Sequence, residues 1–377
     1  MAEGMVNIMR KLSDRKISLL QFILTISGIE LGTSILNLPA DLSRVAGTDG
    51  WISIIIGYLC TIIISLCIIG IMSKHPNKTM LDVLIYYVGS FLGKSIMVVW
   101  ILYSLLGAIT IFYTSIYIIK EWVLPNTMTF LIVALFLFCT YIGLRGGIRL
   151  ICRYQVFVFF FTLWMPLILL FSLKNGHLTF LLPVFKEGWM PILHGVKTTI
   201  LAFLGFEWIF LFYPYLENKK QAVKGVIIAN TITLLVYLQI TFSCFTFFSP
   251  DEITKFIWPT LTLVKPVRFS FLERFEIVYL SFYIFIFSTS VIPYFFFAME
   301  NISQLFHKTD WQMPYTILLI YALSYLFYQP SYTGITFWKN SWEWMGYYTV
   351  FAFPVLFLLY TMLVSRWRGR QLNEKAG

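Results

Sequence analysis

The sequence predicts an all-α integral membrane protein. Of its 377 residues, 59% are hydrophobic and only 12% are charged, whereas a soluble domain carries about 25% charged residues. Apolar runs long enough to cross a bilayer, which takes about 20 residues, recur along the chain. Two of these runs are interrupted by small and acidic residues at comparable positions, a pattern typical of binding sites at mid-membrane depth.

Roughly ten apolar runs are predicted to span the membrane, five in each half of the chain. They cover about residues 17–38, 51–72, 92–119, 128–144, 151–173, 193–214, 223–248, 275–299, 313–329 and 345–365. The predicted domains are an amino-terminal tail (1–16), the membrane domain (17–365) and a carboxy-terminal tail (366–377). Because each half has an odd number of spans, the second half is inverted, and spans one and six meet at a pseudo-two-fold axis.

The basic residues predict the orientation of the chain. With a cytoplasmic amino terminus, the inside segments hold 18 of the 28 Lys and Arg residues, as the positive-inside rule requires. We therefore expect a multi-pass plasma-membrane protein with both termini in the cytoplasm. The net charge of +10 is accounted for by these loop clusters, so the sequence does not indicate a nucleic-acid partner.

The first interruption lies in span one, around Gly28, Glu30, Gly32, Thr33 and Ser34. A broken helix persists in hydrocarbon only where its freed backbone groups meet protein, water or a ligand. If the chain unwinds here, free N–H groups at the start of the outer half-helix suit the carboxylate of an amino acid, and Ser34 can cap that half-helix. The alternative is that the small residues permit close helix packing.

The second interruption lies in span six, at Phe203, Leu204, Gly205 and Glu207. Unwound carbonyls of Phe203 and Leu204 can accept an ammonium group. Glu207 can hold a cation, carry a proton, or form a structural hydrogen bond to the freed backbone. Glu30 is the second coupling or ion-binding candidate, but it is predicted to face roughly away from Gly32, which also fits an interhelical hydrogen bond.

Two flanking spans supply the remaining ligand-binding candidates. Tyr103 and Gly107 in span three are four residues apart, so they share a helix face and can shape a side-chain pocket. In span eight, Thr289 and Ser290 follow Ser288 in an otherwise apolar run. Each hydroxyl can instead bond to its own helix backbone.

The sequence contains no pattern that indicates an enzyme. The four histidines (His75, His177, His194 and His307) lack metal-ligand spacing, and no H-E-x-x-H, P-loop or G-x-S-x-G motif occurs. The five cysteines form no C-x-x-C pair. We therefore predict no catalytic residue, no metal and no cofactor.

Several short motifs, taken in order, resemble those of a known family. The sequence is similar to the spore germination permease family, the B subunits of spore nutrient-germinant receptors, within the amino acid/polyamine/organocation transporter superfamily. The motifs are Leu31-Gly32 with Leu38-Pro39, Asp49-Gly50-Trp51-Ile52, Phe203-Leu204-Gly205 with Glu207, Ile257-Trp258-Pro259-Thr260, and Glu273-Arg274-Phe275-Glu276.

The resemblance implies a LeuT-like fold of ten spans in two inverted repeats. It implies a sporulation-related subunit that recognises a nutrient, usually an amino acid, in the membrane of a dormant spore. It also implies partner A and C subunits and ion release on nutrient binding. One departure is Gly32-Thr33-Ser34, where many relatives have Gly-x-Gly, so Ser34 narrows the room for close approach of the backbone to the ligand.

Two other functions remain open at the sequence level. The first is a proton- or cation-coupled amino-acid transporter in which Glu207 or Glu30 is the coupling acid. The second is a scaffold whose interruptions bind nothing. A lining of Phe, Tyr and Leu suits a small neutral or apolar amino acid, although sugars and nucleosides are not excluded.

Overall fold

The computed structural model describes residues 16–186, 188–267, 274–306, 317–318, 320–321, 323–325, 329 and 331–374, with the side chains of 175 and 367–374 excepted. Across these residues the secondary structure is helical, apart from loops and one isolated bridge between Ile17 and Leu216. The predicted all-α class is therefore confirmed for the described part of the chain. Most of the predicted ninth span (313–329), together with His307 and Glu273, lies outside the described residues.

The helices follow one another along the chain in this order: α1 Leu19–Leu31, α2 Ser34–Ala46, α3 Gly50–Ser73, α4 Met80–Val88, α5 Ser90–Trp122, α6 Thr129–Arg145, α7 Gly147–Thr162, α8 Trp164–Leu169, α9 Trp189–Ala202, α10 Ile209–Phe212, α11 Ala222–Phe247, α12 Pro250–Ile253, α13 Pro259–Val264, α14 Phe275–Phe306, α15 Tyr332–Gly346 and α16 Phe353–Glu374. A π-helical segment, Tyr347–Ala352, joins α15 to α16. Short 3₁₀ segments include Gly47–Asp49 and Phe206–Trp208.

Six helical stretches among the described residues are long and apolar enough to cross a membrane: Ser34–Met72, Ser90–Trp122, Gly147–Lys174, Lys219–Phe247, Phe275–Phe306 and Tyr332–Arg366. A seventh candidate consists of Trp189–Ala202 and Phe206–Tyr215, which are bent by 46° at the break between them. Leu19–Leu31 and Thr129–Arg145 are shorter apolar helices. The chain is therefore a multi-pass membrane protein.

The first of these stretches contains a sharp turn. A Cβ added at Gly50 would lie 2.9 Å from the Cβ of Leu42, eight residues earlier. Residues eight apart in a straight helix are about 12 Å apart along its axis, so the chain reverses at Gly47–Asp49. We therefore describe α2 and α3 as separate helices.

The first predicted span, about 17–38, stops just before Pro39, but the helix continues past this proline. Pro39 lies inside α2. Proline cannot donate to the carbonyl four residues earlier, which here is that of Ile35. The Thr260 hydroxyl donates to this oxygen at 2.8 Å, and this side-chain bond replaces the missing helical bond.

The two interrupted helices lie at the centre of the packing. The first half-helix α1 packs against α7, α11 and α14, and α9 packs against α2 and α3. The long helices α5 and α14 pack along each other beside them. Both breaks are consequently buried among other helices, which is the condition for irregular backbone inside a membrane.

Candidate functional site

The first break separates α1 from α2 at Gly32 and Thr33. Losing helical bonds here frees carbonyl oxygens near the end of α1. Three hydroxyls of α14 lie within hydrogen-bond distance of such carbonyls. The pairs are Thr289 with Gly28 (3.2 Å), Ser290 with Ile29 (3.0 Å) and Tyr283 with Gly32 (2.7 Å).

The second break follows α9, and its turning point is Gly205. The φ of Gly205 is +136°, a conformation that side-chain-bearing residues rarely adopt. A Cβ at this position would lie 2.8 Å from the backbone nitrogen of Glu30 and 3.0 Å from the carbonyl carbon of Ile29. The predicted interruptions are therefore both present, and their backbones are in direct contact.

Tyr237 of α11 bridges the two breaks. Its hydroxyl lies 2.7 Å from the carbonyl oxygen of Glu30 and 2.8 Å from that of Ala202. These carbonyls belong to the last turns of α1 and α9. Because one hydroxyl has one proton, Tyr237 donates to one carbonyl at a time or shares its proton, so a single group serves both breaks.

Glu207 is fully buried, and its carboxylate accepts three hydrogen bonds. Oε1 accepts from the hydroxyls of Tyr103 (2.7 Å) and Tyr294 (2.9 Å), and Oε2 accepts from the backbone N–H of Gly205 (2.6 Å). Of the roles considered for Glu207, a structural bond to the freed backbone is present. This carboxylate fixes the second break to α5 and α14.

Glu30 has a different environment. It is 1% exposed, and its side chain reaches α11, where the Thr233 hydroxyl donates to Oε2. Its other oxygen, Oε1, has no hydrogen-bond partner. The interhelical hydrogen bond considered for Glu30 is therefore present, but it satisfies only half of the carboxylate.

The pocket expected between Tyr103 and Gly107 is filled. A Cβ at Gly107 would lie 2.7 Å from Nε1 of Trp342 and 2.8 Å from Cε1 of Tyr294. The rings of Tyr103 and Trp342 stack at 6.3 Å between centroids, and Trp208 contacts Tyr294 at 4.7 Å. These aromatic side chains form a packed cluster around Glu207.

The remaining candidate residues lie close to the two breaks. Phe203 is buried, with its ring 5.2 Å from that of Tyr237, and Leu204 faces Gly346 of α15. The proposed cap at Ser34 is wrong, because Thr33 occupies the cap position without a side-chain bond and Ser34 is the first residue of α2.

A cavity of about 230 Å³ lies beside the first break. Leu31 and Ile35 line it from either side of the break, together with Tyr283. Leu163 and Leu235, which also line it, are largely exposed on the protein surface. This lining suits hydrocarbon rather than a zwitterionic amino acid.

Sequence analysis did not identify several residues that hold the breaks. Thr233 and Tyr237 are four apart on α11 and both face α1, a polar spacing inside an apolar span that could have been noticed. Tyr283 and Tyr294 are buried on α14. Nothing local distinguishes these two from the many other aromatic residues in the chain.

The described residues contain no group of three or more His, Cys, Asp or Glu side chains that could hold a metal ion. What the arrangement offers instead is a set of backbone carbonyls and half-helix ends at the centre of a membrane domain. Such groups suit a small polar or zwitterionic solute.

Comparison with known proteins gives the family. A family model described as spore germination protein (spore permease) matches residues 16–366. The chain is 25% identical over 348 residues to spore germination protein GerQB of Bacillus cereus, covering 89% of this chain and 93% of the relative. It is 29% identical over 362 residues to spore germination protein YndE of Bacillus subtilis (strain 168), covering 94% and 98%. It is also 28% identical over 277 residues to spore germination protein B2 of the same organism, covering 71% and 74%.

The family match extends over both breaks and over all the helices that surround them. The members of this family are receptor- or transporter-like and are not enzymes, in agreement with the sequence prediction. The chain belongs to the spore germination permease family.

Proposed function

We propose that this protein is the nutrient-binding membrane subunit of a spore germinant receptor and that the two contacting breaks form its binding site. The observation that carries the proposal is the set of side-chain bonds to freed backbone groups. Backbone carbonyls that would accept a backbone N–H in an uninterrupted helix here accept hydrogen bonds from the hydroxyls of Tyr237, Tyr283 and Ser290. Such bonds can be exchanged for bonds to a solute at little cost, because each partner keeps a hydrogen bond.

The ligand class that fits best is a small neutral or apolar amino acid. The start of α2 offers N–H groups to a carboxylate, and the carbonyls near the ends of α1 and α9 accept an ammonium group. Phe203 and Leu204, which are buried beside the second break, supply apolar side chains to this proposed site. Occupancy acts by differential affinity, favouring an arrangement in which the breaks lie further apart.

The proposed architecture is ten spans in two inverted halves, as in LeuT-like transporters. It is supported by two breaks that fall in corresponding positions and meet. We propose that both termini are cytoplasmic and that the protein resides in the inner membrane of the spore. Its proposed partners are the A and C subunits of the receptor and the surrounding lipid.

Spores that carry single substitutions test the site. Tyr237→Phe removes the bridging hydroxyl and should reduce nutrient-triggered germination strongly. Tyr279→Phe is the matched control, since Tyr279 is equally buried and no hydrogen bond is described for its hydroxyl. Unchanged germination of Tyr237→Phe spores with normal subunit levels would reject the assignment.

A second candidate function is cation-coupled amino-acid transport. It is favoured by Glu30, a buried acid that is only half satisfied by hydrogen bonds. Concentrative uptake by the purified protein in liposomes under an ion gradient would support it. A germinant-receptor subunit alone should bind its ligand, seen as a shift in thermal unfolding, without concentrating it.

A further inference from the structure

We infer that Glu30 is a binding site for a monovalent cation, either a proton or an alkali metal ion, and that Thr233 and Ser27 complete it. Four oxygen atoms meet there. They are the two carboxylate oxygens of Glu30, Oγ1 of Thr233 and Oγ of Ser27, which lies 3.3 Å from Oγ1 of Thr233. Oxygen atoms of this kind are the ligands of hard cations.

The unpartnered Oε1 of Glu30 is the first argument. It is buried, and no protein group within reach donates to it. Leaving a buried oxygen without a hydrogen-bond partner is unfavourable, and more so if the oxygen is charged. A bound cation removes this cost directly, whether it is a proton on the carboxyl group or a metal ion between the oxygens.

The charge balance is the second argument. Among the described ion pairs, none includes Glu30, and neither of its ionisable neighbours is a base: one is the Tyr237 phenol and the other is Glu207, another acid. Acidic groups inside a bilayer pair with a cation or a polar partner because their isolated charge is expensive. The site therefore lacks one positive charge.

Glu207 needs a bound cation less than Glu30 does. Its three hydrogen-bond donors stabilise a negative carboxylate, whereas Glu30 has one donor. The two acids are held together through the contact of Gly205 with the Glu30 backbone. A cation at Glu30 thus stabilises the arrangement in which the breaks touch.

The other groups that face Glu30 narrow the interpretation of any pH response. Tyr237 of α11 and Glu207 are two titratable neighbours. Two further titratable groups reach α1 from the helices packed against it, namely Cys152 of α7 and Tyr283 of α14. A pH response that depends on Glu30 therefore has four titratable neighbours to control for.

This inference rests on the proposed function for its physiological role, because cation release would accompany separation of the breaks. Its test does not involve nutrient. The purified full-length chain is placed in lipid nanodiscs, and its unfolding midpoint is measured in two titrations. One raises Na⁺ or K⁺ at fixed pH and ionic strength, with choline as the balancing ion, and the other varies pH at fixed salt.

The wild-type midpoint should rise with alkali-ion concentration, with proton concentration, or with both, and the titration that responds identifies the cation. Glu30→Gln, a neutral isostere, should abolish the response. Thr233→Val should shift the half-maximal concentration by roughly fivefold, the equivalent of one hydrogen bond. Glu276→Gln, which changes an acid outside the site, should respond as wild type does.

Three results would overturn the inference. They are a wild-type midpoint that is insensitive to both titrations, a Glu30→Gln variant that responds like wild type, and a response that Glu207→Gln removes while Glu30→Gln retains it. If Glu30→Gln does not fold, Glu30→Asp and Thr233→Val decide, since both should weaken the response without removing the charge. Since nutrient is absent throughout, failure here leaves the nutrient-binding proposal standing, and the reverse also holds.

Discussion

Prolines inside helices show how single side chains maintain this fold. Pro39 leaves the carbonyl of Ile35 without its helical donor, and Pro293 does the same to Thr289. The Thr260 hydroxyl donates to the first and the Gln155 amide to the second. Water is absent from the hydrocarbon region and cannot hydrogen-bond to these freed carbonyls. One polar side chain from a neighbouring helix therefore replaces each missing bond.

Thr260→Val should therefore destabilise the protein by about 1 kcal/mol or more, because it leaves the Ile35 carbonyl buried and unpaired. The measurement is the thermal unfolding midpoint in lipid nanodiscs. Thr262→Val is the control on the same helix, since the Thr262 hydroxyl bonds only to its own helix backbone. Equal effects of the two substitutions would contradict this account.

Gly205 is the other residue whose identity the structure explains. Alanine there would combine a strained φ with a clash against the backbone of Glu30. Gly205→Ala should lower the unfolding midpoint and weaken the response to nutrient. Gly89→Ala, at a φ of +84° with open space around the added methyl group, measures backbone strain without a clash, which is about 1–3 kcal/mol.

The two glycine variants together test whether close contact between the breaks is required. If Gly205→Ala destabilises the protein no more than Gly89→Ala and leaves the nutrient response intact, close contact between the breaks is not required. A larger effect at Gly205 attributes the difference to that contact.

At the scale of whole helices, an ion-pair network fastens α2 to α15. Asp41 of α2 contacts Lys339 of α15 at 3.1 Å and Arg44 of its own helix at 3.0 Å. Arg44 also donates to the carbonyls of Thr254 and Phe256 in the loop between α12 and α13. Since α2 begins at the first break, this network limits how far that half-helix can move.

A double-mutant cycle with Asp41→Asn and Lys339→Gln should give a coupling energy of about 0.2–1 kcal/mol, because both groups are partly exposed. The coupling should fall at high salt. The Arg274–Glu276 pair joins a residue of α14 to the one before its start, so its removal should not alter the response to nutrient. Zero coupling between Asp41 and Lys339 at low salt would show that the network does not fasten the two helices.

The π-helical segment Tyr347–Ala352 is a second feature at the scale of whole helices. It begins directly after Gly346, which lies against Leu204 and Tyr103. A π-segment carries an extra residue in the helical turn and often occurs at functional sites. Here it changes the rotation of α15 relative to α16 where the helix passes the second break.

For the whole molecule, the charge distribution and the predicted ten spans require that successive loops lie on opposite sides of the membrane. Asn77 follows α3, in a loop expected to be cytoplasmic, whereas Lys186 precedes α9, in a loop expected to be outside. Both side chains are exposed. Single cysteines at these positions can therefore report the topology.

In a variant without the five native cysteines, Lys186→Cys should react with a membrane-impermeant maleimide added to intact cells. Asn77→Cys should react only after the membrane is permeabilised. The extent of labelling of each cysteine is measured from the mass shift of the protein. Labelling of both from the same side would reject the ten-span topology.

The sequence by itself determined the class of the protein, the positions of both interruptions and the residues at their turning points. Hydrophobic runs and the small and acidic residues within them are local signals, and a bilayer leaves few ways to satisfy them. Glycine at position 205 and the acids Glu30 and Glu207 were identifiable for this reason. The same local reasoning failed at Pro39, because the bond that rescues the helix comes from Thr260, more than two hundred residues away.

Only the tertiary structure decided how each break is held. Glu207 is satisfied by Tyr103, Tyr294 and Gly205, whereas Glu30 has Thr233 alone. Apart from Gly205, these partners come from helices distant in sequence, and residue type alone does not determine which of the many buried tyrosines contacts which carboxylate. Hydrogen bonding between helices depends on their packing and rotation, and these are set by all the contacts of the folded chain together.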